Sequence, residues 1–155
     1  MVTMTDLNSE RPGLVYLAQE DVLVVKLFTG EIFEHETTGH PMGGGELQLP
    51  RIDFMVSSTG TIELISIMDA SNSIPAAVLK NASGLELRPG RVSDLPDAVA
   101  LPLFPEAMGV GRKLQPLQLP SGHRVDVLCA KSGRIVAFVV HEASHSLRPG
   151  LVPQN

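Results

Sequence analysis

The chain has 155 residues, of which 43% are hydrophobic and 19% are charged, and its formal net charge is -5. This composition predicts one globular domain, residues 1–155, and the acidic balance excludes the basic surface that binding to nucleic acid or anionic lipid requires. The longest apolar run, residues 135–140, is far shorter than the roughly 20 residues of a membrane span. We therefore expect no nucleic-acid or membrane partner, and a location in the cytoplasm, or in a virion if the protein is viral.

Short polar segments lie at the two ends of the chain. Residues 1–12 and 148–155 are predicted to be tails or arms outside the globular core. The tripeptide Arg-Pro-Gly occurs at residues 11–13, 88–90 and 148–150. Because Pro presets φ and Gly permits a reversal, these tripeptides indicate places where the chain enters or leaves a sheet.

Three apolar runs share one pattern: β-branched and aromatic residues, then a hydroxyl residue and Gly, then Ile two positions after that Gly. Gly accepts the positive φ that a tight reversal needs, so each run predicts a β-hairpin. The hairpins cover residues 21–35, 53–67 and 126–140, and they turn at Thr29-Gly30, Thr59-Gly60 and Ser132-Gly133. Their likeness is compatible with duplication and also with the general resemblance of hairpins. In either case the predicted fold is mainly β, a single-domain barrel or sandwich.

The predicted strands differ in how they meet solvent. In residues 52–57 apolar side chains alternate with more polar ones, which predicts a strand buried on one face. Residues 135–140 are apolar on both faces and predict a strand at the centre of a sheet or inside a closed barrel. Cys129 is the only cysteine and has apolar neighbours, so we expect a buried core residue and not a nucleophile.

The remaining segments connect the hairpins. Residues 37–50 contain three consecutive glycines and predict a loop. One short connecting helix is predicted from Asn72 or Ser73, with Pro75 in its first turn and a stop at Gly84. Residues 93–120 contain repeated prolines and predict an irregular excursion, with one turn of helix near Glu106.

The sharpest motif is His141-Glu142-Ala143-Ser144-His145, which matches the HExxH pattern of zinc peptidases. That chemistry requires a helix, which places both imidazoles on one face for Zn²⁺ and sets Glu142 beside the metal-bound water as general base. The β-branched run before the motif instead predicts a strand, in which His141 and Glu142 point to opposite faces. The expected structure is therefore a strand end without a metal or other cofactor. A zinc site on His141 and His145 is the alternative.

A zinc site needs a third ligand, and no His, Asp, Glu or Cys follows His145 in the chain. His40, His123 or Glu36 would have to complete the site. A second cluster, residues 35–40, also contains two histidines and lies at the exit of the first predicted hairpin. If the two clusters meet at one end of the sheet, their imidazoles could converge on a transition metal.

Residues 109–113, with the sequence Gly-Val-Gly-Arg-Lys, combine exposed amides with two cations that suit an anion. The spacing of a phosphate-binding loop is missing, and the segment lies in the Pro-rich region and not between a strand and a helix. We interpret it as an ordinary loop.

Three functions remain open. Apolar hairpins leave edges that must be covered or paired, so we expect a non-enzymatic structural or interaction subunit of a larger assembly. Its partners would be proteins, in a homo-oligomer or in a lattice such as a virus capsid that the subunit decorates or cements. One alternative is a small zinc-dependent hydrolase that uses the HExxH motif, and the other is a β-barrel module that holds a small ligand.

Overall fold

The computed structural model describes residues 12–27, 35–38, 50–57, 59–82, 87–119 and 122–153, with the backbone alone for residues 35–38. The fold is mainly β, with two antiparallel five-stranded sheets and few helices. The described part of the chain contains no helix with the length and hydropathy that a membrane span requires.

The first sheet has the strand order β1-β2-β5-β4-β3. Its strands are β1 Gly13–Leu17, β2 Val22–Lys26, β3 His35–Thr38, β4 Ile52–Ser57 and β5 Ile62–Ile67. The second sheet has the order β6-β7-β10-β9-β8. Its strands are β6 Gly90–Arg91, β7 Val99–Pro102, β8 Gly111–Gln118, β9 Arg124–Ala130 and β10 Ile135–Val140. The helices are α1 Ala70–Ser73, α2 Ala76–Asn81, α3 Ala107–Val110 and α4 Ala143–Ser146, followed by a 3-10 turn at Pro149–Leu151.

The two sheets share one apolar core. Phe54 and Ile65 of the first sheet belong to the same buried cluster as Val127 and Phe138 of the second. In β4, buried and half-buried residues alternate as predicted, because only one face of this strand meets the core. β10 is buried along its whole length and lies between β7 and β9 at the centre of its sheet, which confirms the prediction for residues 135–140.

Two of the three predicted hairpins are confirmed. β4 pairs with β5 and β9 pairs with β10, both antiparallel. Gly60 and Gly133 occupy their turns with the same φ of 89°. A side chain at that φ would clash with its own backbone, so Gly is the residue these reversals require.

The first predicted hairpin is wrong. β2 pairs with β1 on one side and with β5 on the other, whereas β3 pairs with β4 at the far edge of the sheet. Both edges of β2 are therefore occupied by strands other than the one that follows it in the chain. The turn predicted at residues 29–30 lies outside the described residues, as do residues 39–49 of the predicted loop, while residues 37–38 belong to β3.

The prediction of an irregular segment at residues 93–120 is also wrong, except for the helical turn predicted near Glu106, which is present as α3. The segment contains β7 and β8 as well, and β8 is the longest strand described. The prolines are tolerated because of where they lie. Pro102 ends β7, and Pro116 lies in β8, which among the described strands pairs only with β9.

The predicted helix near Pro75 is present as α2, which begins directly after this proline, although α1 already forms before it. The predicted stop at Gly84 lies outside the described residues. At the C-terminus, residues 148–153 do not form an arm. The 3-10 turn there buries Leu151 in the core, and Arg148 binds Glu63 of β5. The N-terminal arm, residues 1–12, lies outside the described residues except for Pro12.

The second sheet repeats the first. The strand order is the same when β1 to β5 are replaced by β6 to β10. Residues 51–74 also align without a gap on residues 124–147, and we call the units around them the first repeat (residues 13–74) and the second repeat (residues 90–147). The aligned pairs that are identical are Arg51/Arg124, Asp53/Asp126, Gly60/Gly133, Ile62/Ile135, Ala70/Ala143, Ser71/Ser144 and Ser73/Ser146. These identities and the common topology indicate an internal duplication.

Candidate functional site

The HExxH motif does not lie on one helix. His141 follows β10, Glu142 has a left-handed backbone with φ of 52°, and α4 begins only at Ala143. The strand predicted before the motif is confirmed, and α4 has the length of a single turn. The two histidines therefore do not share a helical face, which is the arrangement that the peptidase chemistry requires.

The middle of the motif belongs to a connection that occurs in both repeats, which we call the clasp. In the second repeat, the Asp97 carboxylate accepts hydrogen bonds from the Ser144 backbone N–H at 2.9 Å and from its hydroxyl at 2.6 Å. In the first repeat, Asp21 accepts the same two bonds from Ser71 at the same distances. The left-handed Glu142 has its counterpart in Asp69, with φ of 48°. The presence of Glu-Ala-Ser in the middle of the motif is therefore explained by the fold of this connection.

Both clasp aspartates are also in the left-handed region, with φ of 55° for Asp21 and 61° for Asp97. The hydrogen bonds from the serine hydroxyls are the main reason why the pKa of each carboxyl lies below its usual value. Tyr16 donates a further bond to Asp21 at 2.6 Å, and this bond raises the pKa of Tyr16. Each clasp fastens the turn before the second strand of its repeat to the helix after the fifth.

We expect the clasp to make stability depend on pH. Because the pKa of Asp97 is lower in the folded protein than in the unfolded one, its stabilisation is present above about pH 4 and is lost as the pH falls through the folded value. Asp97→Asn keeps a residue that tolerates positive φ and removes the charge. The variant should unfold at a lower temperature than the wild type at pH 7, with a smaller difference at pH 3, measured by circular dichroism. Asp94→Asn, at an exposed residue with φ of 68°, is the control and should unfold at the same temperature as the wild type at pH 7.

Beside the clasp of the second repeat lies a cleft of about 200 Å³, which we call the histidine cleft. Three of the five histidines considered as metal ligands from the sequence line it; His35 belongs to β3, and His40 lies outside the described residues. The fold brings them together from β10, α4 and the turn before β9. The lining residues are Gly122, His123, Arg124, His141, Glu142, His145 and Ser146.

His141 is held by a buried carboxylate. Its Nε2 lies 2.7 Å from Oδ2 of Asp126, a residue of β9 that is only 4% exposed. The other oxygen, Oδ1, is buried without a hydrogen bond; the Nε atom of Arg124 is 3.5 Å away, close enough for an ion pair. An ionised carboxylate only accepts hydrogen bonds, so the shared proton belongs to Nε2 of His141.

His123 is held by the other repeat. Its Nε2 lies 2.6 Å from the carbonyl oxygen of Gly60, in the β4–β5 turn. A carbonyl oxygen also only accepts, so this Nε2 donates. The histidine cleft is therefore anchored to both halves of the molecule. His145 differs from the other two histidines because it is exposed on α4.

The three cleft histidines occur only in the second repeat. The aligned residues of the first repeat are Pro50, Met68 and Asn72. The backbone bond at the strand end is nevertheless the same, since Met68 N donates to Arg51 O at 3.0 Å and His141 N donates to Arg124 O at 3.1 Å. The first repeat forms this connection without imidazoles at the three aligned positions, so the shared frame does not require the histidines of the cleft.

Other residues singled out in the sequence have structural roles. Cys129 is buried, which confirms that prediction, and burial raises the pKa of its thiol to about 11. Residues 109–113 span the boundary between α3 and β8, where the Arg112 guanidinium donates to the carbonyl oxygens of Gly109 and Gly111. In the cluster at residues 35–40, residues 35–38 form β3, and residues 39–40 lie outside the described part.

Sequence reasoning missed the most informative residues of the site, Asp97 and Asp126. A signal for Asp126 was present in the repeated pattern Arg-x-Asp, and the repeated pattern Asp/Glu-Ala-Ser-x-Ser marks the serine that Asp97 binds. Comparison of the chain with protein-family models, with curated proteins and with solved structures finds no match. The functional argument therefore depends on the geometry alone.

Proposed function

We propose that the protein is a non-enzymatic structural or interaction subunit that assembles with further copies of itself. The observation that supports this most directly is a group of exposed large apolar side chains at the junction of α3 and β8, which we call the apolar patch. Its members are Met108, Val110 and Leu114, at 45%, 40% and 49% exposure. Apolar residues gathered on a surface favour association because their burial removes them from water.

The patch lies beside an edge strand. β8 pairs only with β9, and Leu114, opposite Leu128, is on the face of the sheet that points away from the shared core. Pro116 removes one backbone donor from β8, and Arg112 adds charge, and both features oppose simple pairing with another strand. We therefore propose that side chains, and not added strands, make the contact.

A second copy of the chain is the proposed occupant of the patch. Leu95, which is 41% exposed, lies before β7, whereas the patch follows β7, so the two surfaces are at opposite ends of the second sheet. Leu95 of one copy can then meet the apolar patch of the next. Such a contact joins different surfaces and repeats from copy to copy.

For the fold, we propose a sandwich and not a closed barrel. Each sheet has its own edge strands, β1 and β3 in the first and β6 and β8 in the second, and side chains of both sheets fill the shared core.

A filled core favours a subunit over a barrel module that holds a small ligand. Glu142 has a left-handed backbone between β10 and α4 and does not lie on a helix with both histidines. This position also favours the subunit over a zinc hydrolase with Glu142 as general base. A lattice such as a virus capsid, or a cytoplasmic homo-oligomer, remains the proposed setting.

The test uses two variants that each remove one side of the contact, Leu114→Ser and Leu95→Ser. We expect light scattering after gel filtration to show oligomers of the wild type that grow with concentration. Each variant alone should be a monomer, because each chain keeps only one of the two surfaces. An equal mixture of the two variants should form dimers and nothing larger, since Leu95→Ser keeps only the apolar patch and Leu114→Ser keeps only the Leu95 surface.

Lys80→Ser, at an exposed residue of α2, is the control and should associate like the wild type. The proposal is overturned by a wild type that stays monomeric at every concentration, or by a mixture of the two leucine variants that stays monomeric. A dimer that persists in Leu95→Ser contradicts the contact between different surfaces.

A further inference from the structure

We infer that the histidine cleft binds one divalent transition-metal ion, such as Zn²⁺ or Ni²⁺, through the imidazoles of His141 and His145. This inference does not depend on the proposed assembly. It also requires no hydrolytic reaction, and the position of Glu142 outside a helix does not affect it.

The first support is the orientation of the His141 ring. Its Nε2 lies 2.7 Å from Oδ2 of Asp126, and a neutral ring that donates from Nε2 has its lone pair on Nδ1. A lone pair binds a metal cation and cannot donate to an anion, so a cation is the preferred ligand of this ring. Metal-bound histidines in proteins commonly have their other ring nitrogen fixed by a carboxylate in this way.

The second support is the surplus charge behind the ring. Asp126 is buried, and its Oδ1 has no hydrogen bond in the structure. Burial of a charge is costly unless it is compensated, and Arg124 contacts this oxygen only at 3.5 Å from a largely exposed position. A cation bound to His141 would compensate the buried carboxylate through the ring.

The third support is the placement of the second ligand. His145 and Glu142 line the same cleft as His141 and are exposed, so their side chains can turn without disturbing the core. In their present conformations, the described residues include no group of three or more His, Cys, Asp or Glu placed to hold a metal ion. We therefore propose that His145 turns toward His141 when the ion binds, and that the Glu142 carboxylate or water completes the coordination.

The comparison of the repeats separates this role from a role in folding. Met68 and Asn72 occupy the positions of His141 and His145 in the first repeat, where the same clasp and the same strand-end bond form. His141→Met and His145→Asn therefore place residues that this frame already accepts. Loss of metal binding in these variants can then be distinguished from loss of the fold.

The experiment is calorimetric titration of metal-stripped, full-length protein with ZnCl₂ and with NiCl₂. We expect one ion per chain for the wild type and an affinity that falls by about tenfold or more in each single variant, with no binding to this site in the double variant. Asp126→Asn should weaken binding by about tenfold to a hundredfold while leaving both imidazoles in place. Circular dichroism in EDTA checks that every variant is folded.

Glu106→Gln, at an exposed acid before α3, is the matched control and should bind like the wild type. The inference is wrong if the wild type binds no ion at one per chain. It is also wrong if the folded double variant binds as tightly as the wild type, because the ion would then be held by other residues.

Discussion

Replacement of Arg148 by alanine should lower the free energy of unfolding by about 3 kcal/mol. Arg148 donates two hydrogen bonds to the Glu63 carboxylate, at 2.7 and 2.9 Å, and Glu63, the second residue of β5, is 2% exposed. Thr61 also donates its hydroxyl to Glu63 at 3.0 Å, but this neutral donor does not compensate the buried charge. The value is near the low end for a broken buried pair because the Arg148 side chain is partly exposed. Urea denaturation at pH 7 measures it.

The second repeat supplies a variant that separates the pair from the buried charge. Val136 is aligned with Glu63, so Glu63→Val places an apolar residue that the same strand position already accepts. We expect Glu63→Val combined with Arg148→Ala to recover most of the lost stability, because no uncompensated charge remains. A double variant as unstable as Arg148→Ala would show that Arg148 acts through other contacts.

The matched control for Arg148 is Arg51. It pairs with Asp53 at 3.1 Å, but its side chain is 59% exposed. Exposed ion pairs contribute little, so Arg51→Ala should cost less than about 1 kcal/mol. The two substitutions should therefore differ in their cost because Glu63, the partner of Arg148, is buried, whereas the Arg51 side chain is mostly exposed.

The hairpins show what local sequence can predict in this fold. The β4–β5 and β9–β10 hairpins were predictable because a turn that needs Gly lies directly between two apolar runs. The same reasoning failed for β2 and β3, because the true neighbours of β2 come from residues 13–17 and 62–67. Which strands share an edge is decided by the whole sheet, and a window of fifteen or so residues contains no information about it.

The Pro-rich segment shows a second limit. Proline excludes a central strand but not an edge strand, and β8 is an edge strand. The sequence pattern alone could not tell which edges of the sheet would remain open. The prediction of irregular structure at residues 93–120 therefore applied a rule for central strands to a strand that has only one neighbour.

The sequence pointed to histidines that the fold brings together, but the argument that led to them was incomplete. The HExxH match pointed to His141 and His145, and His123 was named as a third candidate, and all three line one cleft. The motif does not lie on one helix, and the fold gathers these histidines from the end of β10, the single-turn helix α4 and the turn before β9. Asp126 could not be assigned to His141 from the sequence, because the bond crosses two neighbouring strands.

Replacement of Gly111 by alanine should destabilise the protein by about 1–3 kcal/mol. A Cβ at this position would lie 2.5 Å from Cγ and Cδ2 of Leu128, which is closer than two carbon atoms approach when they are not bonded to each other. Leu128 cannot move away freely, since it packs with Ala107, Val136 and Ala137 between α3 and the sheet. The clash would therefore disturb the position of β8 and of the apolar patch beside it.

Gly109 provides the control, because a Cβ there would meet nothing within 4 Å and the residue lies inside α3. Gly109→Ala should leave stability unchanged or raise it by up to about 1 kcal/mol, since alanine loses less backbone entropy in a helix. In a Leu128→Ala background, Gly111→Ala should cost clearly less than in the wild type, because the atoms that it meets are gone. Equal costs in the two backgrounds would mean that Gly111 is needed for its backbone conformation and not for its contact with Leu128.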